Sequence, residues 1–197
     1  VVNAVVRHVK KLVPAYNLPN SVTFSRAMAQ GRKSPLTEYN PDRHELAILQ
    51  YTGGTTGVAK GAMLSHHNLI ANMMQCASIM SVEFVAGQEV VIAPLPLYHI
   101  YAFTFFCMAG TYLGCHNVLI TNPRDIKAFV SDLKKYPFTA LVGLNTLFVA
   151  LMNNEEFAKM DFSKLRMTVS GGMALQSAVV KRWENLTGTT INEGYGL

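Results

Sequence analysis

From Glu45 onward this 197-residue chain alternates short apolar runs with segments of helical pattern. The runs are Leu46–Thr52, Val90–Ala93 and residues 62–64, 117–120, 139–142, 165–170 and 190–192. Short apolar runs of this kind suit strands buried on both faces, and the helices between them supply the cover. Such alternation predicts an α/β fold with a mostly parallel sheet flanked by helices on both faces. In that architecture ligands collect beyond the carboxyl ends of the strands.

Local signals set the expected helix limits. Ser65 reads as the cap of a helix that runs to about Met80. Residues 101–112 suit a buried helix. Asn122, Pro123 and Asp125 read as a cap, a first-turn proline and a first-turn acid, opening a helix to about Tyr136. Asn145 reads as a cap for a helix to Asn153. Residues 174–186 form the last expected helix, stopped by Gly188. Helical spacing also covers the first twelve residues, where Val2, Val5, Val6 and Val9 oppose a basic face, and a short helix fits 21–30. Residues 31–43 carry Gly31, Pro35, Asn40 and Pro41 and read as surface loop. Two divisions follow: a helix and basic loop over 1–44, and an α/β core over 45–197.

Charge separates the same two parts. Up to Arg43 there are seven lysines and arginines against Glu38 and Asp42, and the remainder holds ten basic and ten acidic residues. The formal net charge of +5 therefore belongs to the first part. A nucleic-acid binder more often carries its charge on the folded body, so the segment reads as a solvated basic helix and loop. Contact with anionic headgroups stays open. Cys76, Cys107 and Cys115 are odd in number and set in apolar surroundings, which suits reduced core thiols of a cytoplasmic protein. His66 and His67 lack nearby metal partners in sequence and read as the first turn of a helix. Residues 90–120 hold almost no charge, but Pro94, Pro96, His99, Gly110, Gly114 and His116 interrupt them, so strand, loop, helix and strand is preferred to a membrane span. Val1 starts in mid-pattern and Leu197 stops in mid-motif, so a piece of a longer protein is expected.

The most chemical stretch is 51–62, Tyr-Thr-Gly-Gly-Thr-Thr-Gly-Val-Ala-Lys-Gly-Ala. Glycines let backbone N–H groups turn and approach a ligand closely. Successive N–H groups make an anion cradle, threonine hydroxyls add donors, and Lys60 adds a mobile charge. Between Leu46 and Pro123 the only charged residues are Lys60, Glu83 and Glu89. A lone cation in such a stretch favours a ligand role over an ordinary surface lysine. The Walker loop does not fit, because Lys60 follows Ala59 and precedes Gly61.

The pattern from Leu49 to Lys60 resembles the AMP-binding signature of the adenylate-forming superfamily, although Ala59 stands where that family often has proline. Three further segments resemble the same family. Residues 94–101, Pro-Leu-Pro-Leu-Tyr-His-Ile-Tyr, are similar to its acyl-pocket segment. Spacing alone leaves His99 as an ordinary core histidine; the resemblance implies that His99 lies beside the acyl carbonyl and phosphate, with Tyr98 and Tyr101 as neighbours. Residues 168–174 resemble its adenine segment, with Ala174 in place of proline. Residues 192–197 resemble the start of its Tyr-Gly-x-Thr-Glu motif, and the Thr and Glu would come next.

Within that family the chain resembles the bacterial long-chain fatty acid–CoA ligases. Residues 122–125, 136–138 and 145–148 also look like that subfamily. The resemblance implies ATP, a fatty acid and CoA as substrates and Mg²⁺ as cofactor. It implies a phosphate grip from Thr52, Gly53, Gly54, Thr55, Thr56, Gly57 and Lys60, with Lys60, Thr55, Thr56 and His99 nearest the chemistry. The nucleotide would be seated by Gly171, Gly172, Met173, Glu193, Gly194, Tyr195, Gly196 and Leu197. The metal glutamate and a lysine of a C-terminal domain are expected beyond this chain, so the chain alone is expected to be inactive. Peripheral contact with the inner membrane and a homodimer stay open. An adenylation domain, an aryl-CoA ligase or a catalytically dead nucleotide-binding module are the alternatives.

Overall fold

The computed structural model describes residues 2–52 and 59–196. It divides into two compact units, 1–40 and 41–197. In the first unit a single turn, Val2–Ala4, runs into a wider π-helical turn, Val5–Val9, closed by the Lys10 N–H on the Val5 carbonyl at 2.8 Å. Helix Phe24–Gly31 follows, capped by the Thr23 hydroxyl, which accepts the Arg26 N–H. None of the described residues in this unit is buried.

The second unit begins with a hairpin. Strand β1, Leu46–Thr52, pairs antiparallel with β2, Lys60–Ser65. These strands form their own two-stranded sheet and do not join the parallel one. Antiparallel pairing needs only a short connection, whereas a parallel neighbour would demand a crossover. Helix His66–Met80 starts from a reciprocal cap: the Ser65 hydroxyl accepts the Asn68 N–H, and the Asn68 side chain accepts the Ser65 N–H.

The parallel sheet has the order β4-β3-β5-β6-β7, with β3 Val90–Ala93, β4 His116–Leu119, β5 Ala140–Gly143, β6 Met167–Ser170 and β7 Ile191–Glu193. Alternate residues face opposite sides. Ile92 and Leu141 join Phe129, Phe148 and Trp183 from helices Ile126–Leu133, Asn145–Met152 and Ser177–Thr187. Val91, Ala93, Ala140 and Val142 join Ala77, Met80 and Phe106 on the other side. Helices thus cover both faces. β5 lies inside the sheet, and all four of its residues are buried, as a two-sided parallel strand requires.

Several helix ends differ from the local signals. The helix expected from Asn122 begins three positions later, because Asp125 is the cap and its carboxylate accepts the Ala128 N–H at 3.1 Å. The 122–125 stretch is instead a turn closed by the Asp125 N–H on the Asn122 carbonyl. Asn145 is the first helical residue and not the cap; its side chain accepts the Gln176 N–H from another segment at 3.2 Å. The last helix starts at Ser177 and ends, as expected, where Gly188 takes φ 77°. A short helix, Glu155–Ala158, capped by Asn154, was not expected. Residues 100–110 form one helical turn, Ile100–Ala102, leading into a π-helix, Phe103–Gly110. Among the described residues no helix is long and apolar enough to cross a membrane.

Candidate functional site

Three chain segments leave the carboxyl ends of β3, β6 and β7, and side-chain geometry brings them together. After β3 two prolines lead to His99, which caps the turn at Ile100. Its Nδ1 accepts the Tyr101 N–H at 3.2 Å. That bond assigns the unprotonated nitrogen to Nδ1, so a neutral ring carries its proton on Nε2. The imidazole is exposed and held in one orientation by its own backbone. Tyr98 is exposed as well.

Tyr101 turns inward. A Cβ built on Gly171 would stand 3.0 Å from two carbons of the Tyr101 ring and 3.3 Å from the Gly194 carbonyl oxygen. The bare α-carbon of Gly171 is thus the seat of the tyrosine ring. The sequence reading gave this glycine to adenine, and the geometry gives it a second tenant. The Tyr101 hydroxyl is buried without a partner among the described residues. Burial drives its ionisation well above the ordinary phenol range, so it remains a neutral donor. An unsatisfied buried hydroxyl costs about 1–3 kcal/mol, which a ligand oxygen would relieve.

The next turn is fixed from two sides. Gly172 takes φ 78°, a conformation that side-chain-bearing residues rarely adopt. One Glu193 carboxylate oxygen accepts the Leu175 N–H at 3.2 Å, and the Gly194 N–H reaches the Ser170 carbonyl at 2.7 Å. The end of β7 is therefore tied to the loop after β6. Met173 and Tyr195 are exposed around this knot, and a Cβ on Gly196 would meet open space. Expected site residues Tyr101 and Gly194 both lie against Gly171; Glu193 and Gly172 shape the same turn.

The hairpin carries the remaining expectation. Thr52 closes β1 directly opposite Lys60, the exposed first residue of β2. Gly53, Gly54, Thr55, Thr56, Gly57 and Leu197 lie outside the described residues, and of the expected phosphate grip only Thr52 and Lys60 lie within them. Among the described residues no three His, Cys, Asp or Glu stand together as metal ligands, and the magnesium implied by the family likeness is assigned to none of them.

Two buried polar groups near this edge have roles the sequence did not assign, Asn145 having been expected only as a helix cap. Ser170, at the end of β6, is wholly buried and its hydroxyl has no partner among the described residues. Asn145 is buried and holds the loop before the last helix. A polar residue ending an apolar run was the available signal for each. At the opposite end of the sheet, Glu89 is almost wholly buried, accepts the Val85 N–H at 2.6 Å and pairs with Arg166. Burial first, and the Glu89 charge second, push the nearby Cys115 thiol up to about 11. A cleft of about 430 Å³ lies at that end too, and two lysines of its wall, Lys134 and Lys159, share the exposed Glu156 carboxylate.

Glycine-rich turns and a partly buried tyrosine with a buried hydroxyl lie at the carboxyl edge of a parallel sheet, the edge at which α/β proteins commonly hold their ligands. Known proteins make the class specific. The family model described as AMP-binding enzyme matches residues 4–197, and the chain belongs to that family. It is 50% identical, over 197 residues and the whole of its length, to a long-chain-fatty-acid–CoA ligase of Salmonella typhimurium. It is 51% identical to the enzyme of that name from Haemophilus influenzae. It spans 35% of each relative's length. Among solved structures it is similar to ATP-bound MatB from Rhodopseudomonas palustris, with a TM-score of 0.65 and 26% identity, over 83% of this chain and 31% of that one. An anthranilate CoA ligase holding anthranoyl-AMP shares the fold at a TM-score of 0.74 and 20% identity, over 98% of this chain and 38% of that one.

Proposed function

We propose that this chain is the central part of an ATP-dependent long-chain fatty acid–CoA ligase. The observation that carries the reading is the 50% identity to ligases of that name along the entire chain. In the first step the fatty acid carboxylate attacks the α-phosphorus of ATP, giving acyl-adenylate and pyrophosphate. In the second the CoA thiolate attacks the acyl carbonyl and AMP leaves.

Chemistry of this kind rests on positioning and on charge placed where it develops. Lys60 would neutralise the β,γ-phosphates and steady the departing pyrophosphate, with residues 52–57 supplying donors. The loop of Gly171, Gly172 and Met173, tied by Glu193 to the stretch 194–197, would seat the nucleotide. His99, Tyr98 and Tyr101 would line the acyl side, with the Tyr101 hydroxyl donating to a ligand oxygen. The chain alone is expected to catalyse neither step, because the family's metal glutamate and C-terminal lysine are expected outside it.

The test is pyrophosphate release by the full-length protein with ATP and carboxylic acids from acetate to oleate, beside Lys60→Ala. Release that peaks at long chains and falls at least tenfold in the variant is the expected result. A preference for aromatic or amino acids would move the protein to a sister activity, and no release with any acid would overturn the ligase reading.

A further inference from the structure

The neck of the glycine-rich loop holds a contact that the activity above does not use. In the β1–β2 register Tyr51 stands directly opposite Gly61, and the next pair, Thr52 and Lys60, forms the two feet of the loop. The Tyr51 ring reaches across the ladder. Its Cζ, Cε2 and Cε1 carbons lie 3.5, 3.6 and 3.7 Å from where a Cβ on Gly61 would stand. Three nearly equal distances mean that the outer half of the ring lies flat over the glycine. Tyr51 is 62% exposed, so no surrounding core forces this pose. The ring rests there because the glycine leaves a bare backbone for it, the cross-strand aromatic cover that steadies glycines in strands.

We infer that Tyr51 is a positioning residue for Lys60. Its ring clamps the hairpin one pair before the loop begins, and so fixes the spacing and twist with which Thr52 and Lys60 present the loop. A two-stranded ribbon is marginally stable by itself, and Gly61 at the neck adds freedom that this contact removes. The residue acts through the backbone and needs only its ring, not its hydroxyl. This inference rests on the reading of the loop as a phosphate grip.

The experiment uses the full-length protein with ATP, oleate and CoA. Tyr51→Ala should raise KM for ATP about two- to fivefold, which is roughly 0.4–1 kcal/mol at 1.4 kcal/mol per tenfold and within the range of a cross-strand pair. KM for oleate and kcat should stay within about twofold of the parent. Tyr51→Phe should restore the parent KM. Gly61→Val, which occupies the ring's seat, should raise KM for ATP in the same way, and the double variant should be no worse than either single one. If Tyr51→Ala does not fold, Tyr51→Leu carries the same expectation.

An unchanged KM for ATP in an active, folded variant overturns the inference, even if its Tm falls, because a merely structural role moves Tm alone. Equal damage from Phe and Ala also overturns it, since the hydroxyl would then be the working group. Failure of the parent protein itself to release pyrophosphate would instead strike the ligase reading on which the inference stands.

Discussion

β5 and the β1–β2 hairpin are both sheet, yet they are held in different ways. β5 is flanked by β3 and β6, and Ala140, Leu141 and Val142 are fully buried. In the hairpin, Leu46, Leu49, Tyr51 and Met63 are all exposed, and each strand pairs only with the other. One strand derives its stability from two layers of helices. The other depends on its own ladder and on contacts across it. The difference teaches where each kind of residue acts. Substitutions around β5 should change whether the chain folds, and substitutions in the hairpin should change what a folded chain presents to a ligand.

The largest expected effect is on the β5 side. Trp183 is wholly buried, stacks edge-on to Phe148 at 4.9 Å and donates its indole N–H to the Thr168 hydroxyl at 3.2 Å. Trp183→Ala should lower unfolding stability by about 3–5 kcal/mol, read as a fall in the urea midpoint. A loss under about 1 kcal/mol would show that the helical layer does not carry the sheet.

Next comes the ion pair between buried Glu89 and the more exposed Arg166. Arg166, just before β6, reaches Glu89, just before β3, and so braces the sheet across β5. Arg166→Met would leave the Glu89 carboxylate buried without its cation, at a cost of about 3 kcal/mol. The double variant with Glu89→Leu should recover most of that loss in the same urea experiment.

A smaller effect is expected at the rim of the sheet. Gly171→Ala would force a Cβ to 3.0 Å from the Tyr101 ring, costing about 1–3 kcal/mol. Tyr101→Ala in the same chain should remove most of the added strain. Additive losses would show that ring and glycine are not in contact.

The smallest effect sharpens the contrast. Met63→Ser, on the exposed face of the hairpin, should shift the stability of this chain by no more than about 0.5 kcal/mol. A loss above about 2 kcal/mol would place the hairpin inside the cooperative core and erase the distinction.

Much of this layout was legible in the chain. The capping serine at 65 and the stop at Gly188 lie where local chemistry put them. So do the short apolar runs that became β3 and β5. Misplaced starts share one cause. Asn122 and Asn145 are competent caps by type, but Asp125 satisfied the first helix, and Asn145 was drawn to a backbone N–H thirty-one positions away. Local propensity offers several caps, and tertiary geometry selects among them. The same limit applies to the site. The glycine-rich segments are visible as composition, but nothing in their spacing says that Tyr101 rests on Gly171 beside Gly194.

The sequence by itself determined the alternation of strand and helix, and with it a two-sided parallel sheet with its loops at one edge. Those features follow from residues close together in the chain: apolar periodicity, caps and glycines that permit a turn. Tertiary structure alone decided that β1 and β2 stand apart as a hairpin and that β3 neighbours both β4 and β5. It also decided that Glu89 finds Arg166 at a separation of seventy-seven residues. Those outcomes depend on which apolar faces can be buried together and which polar atoms must then be satisfied, and both conditions exist only once distant segments have met.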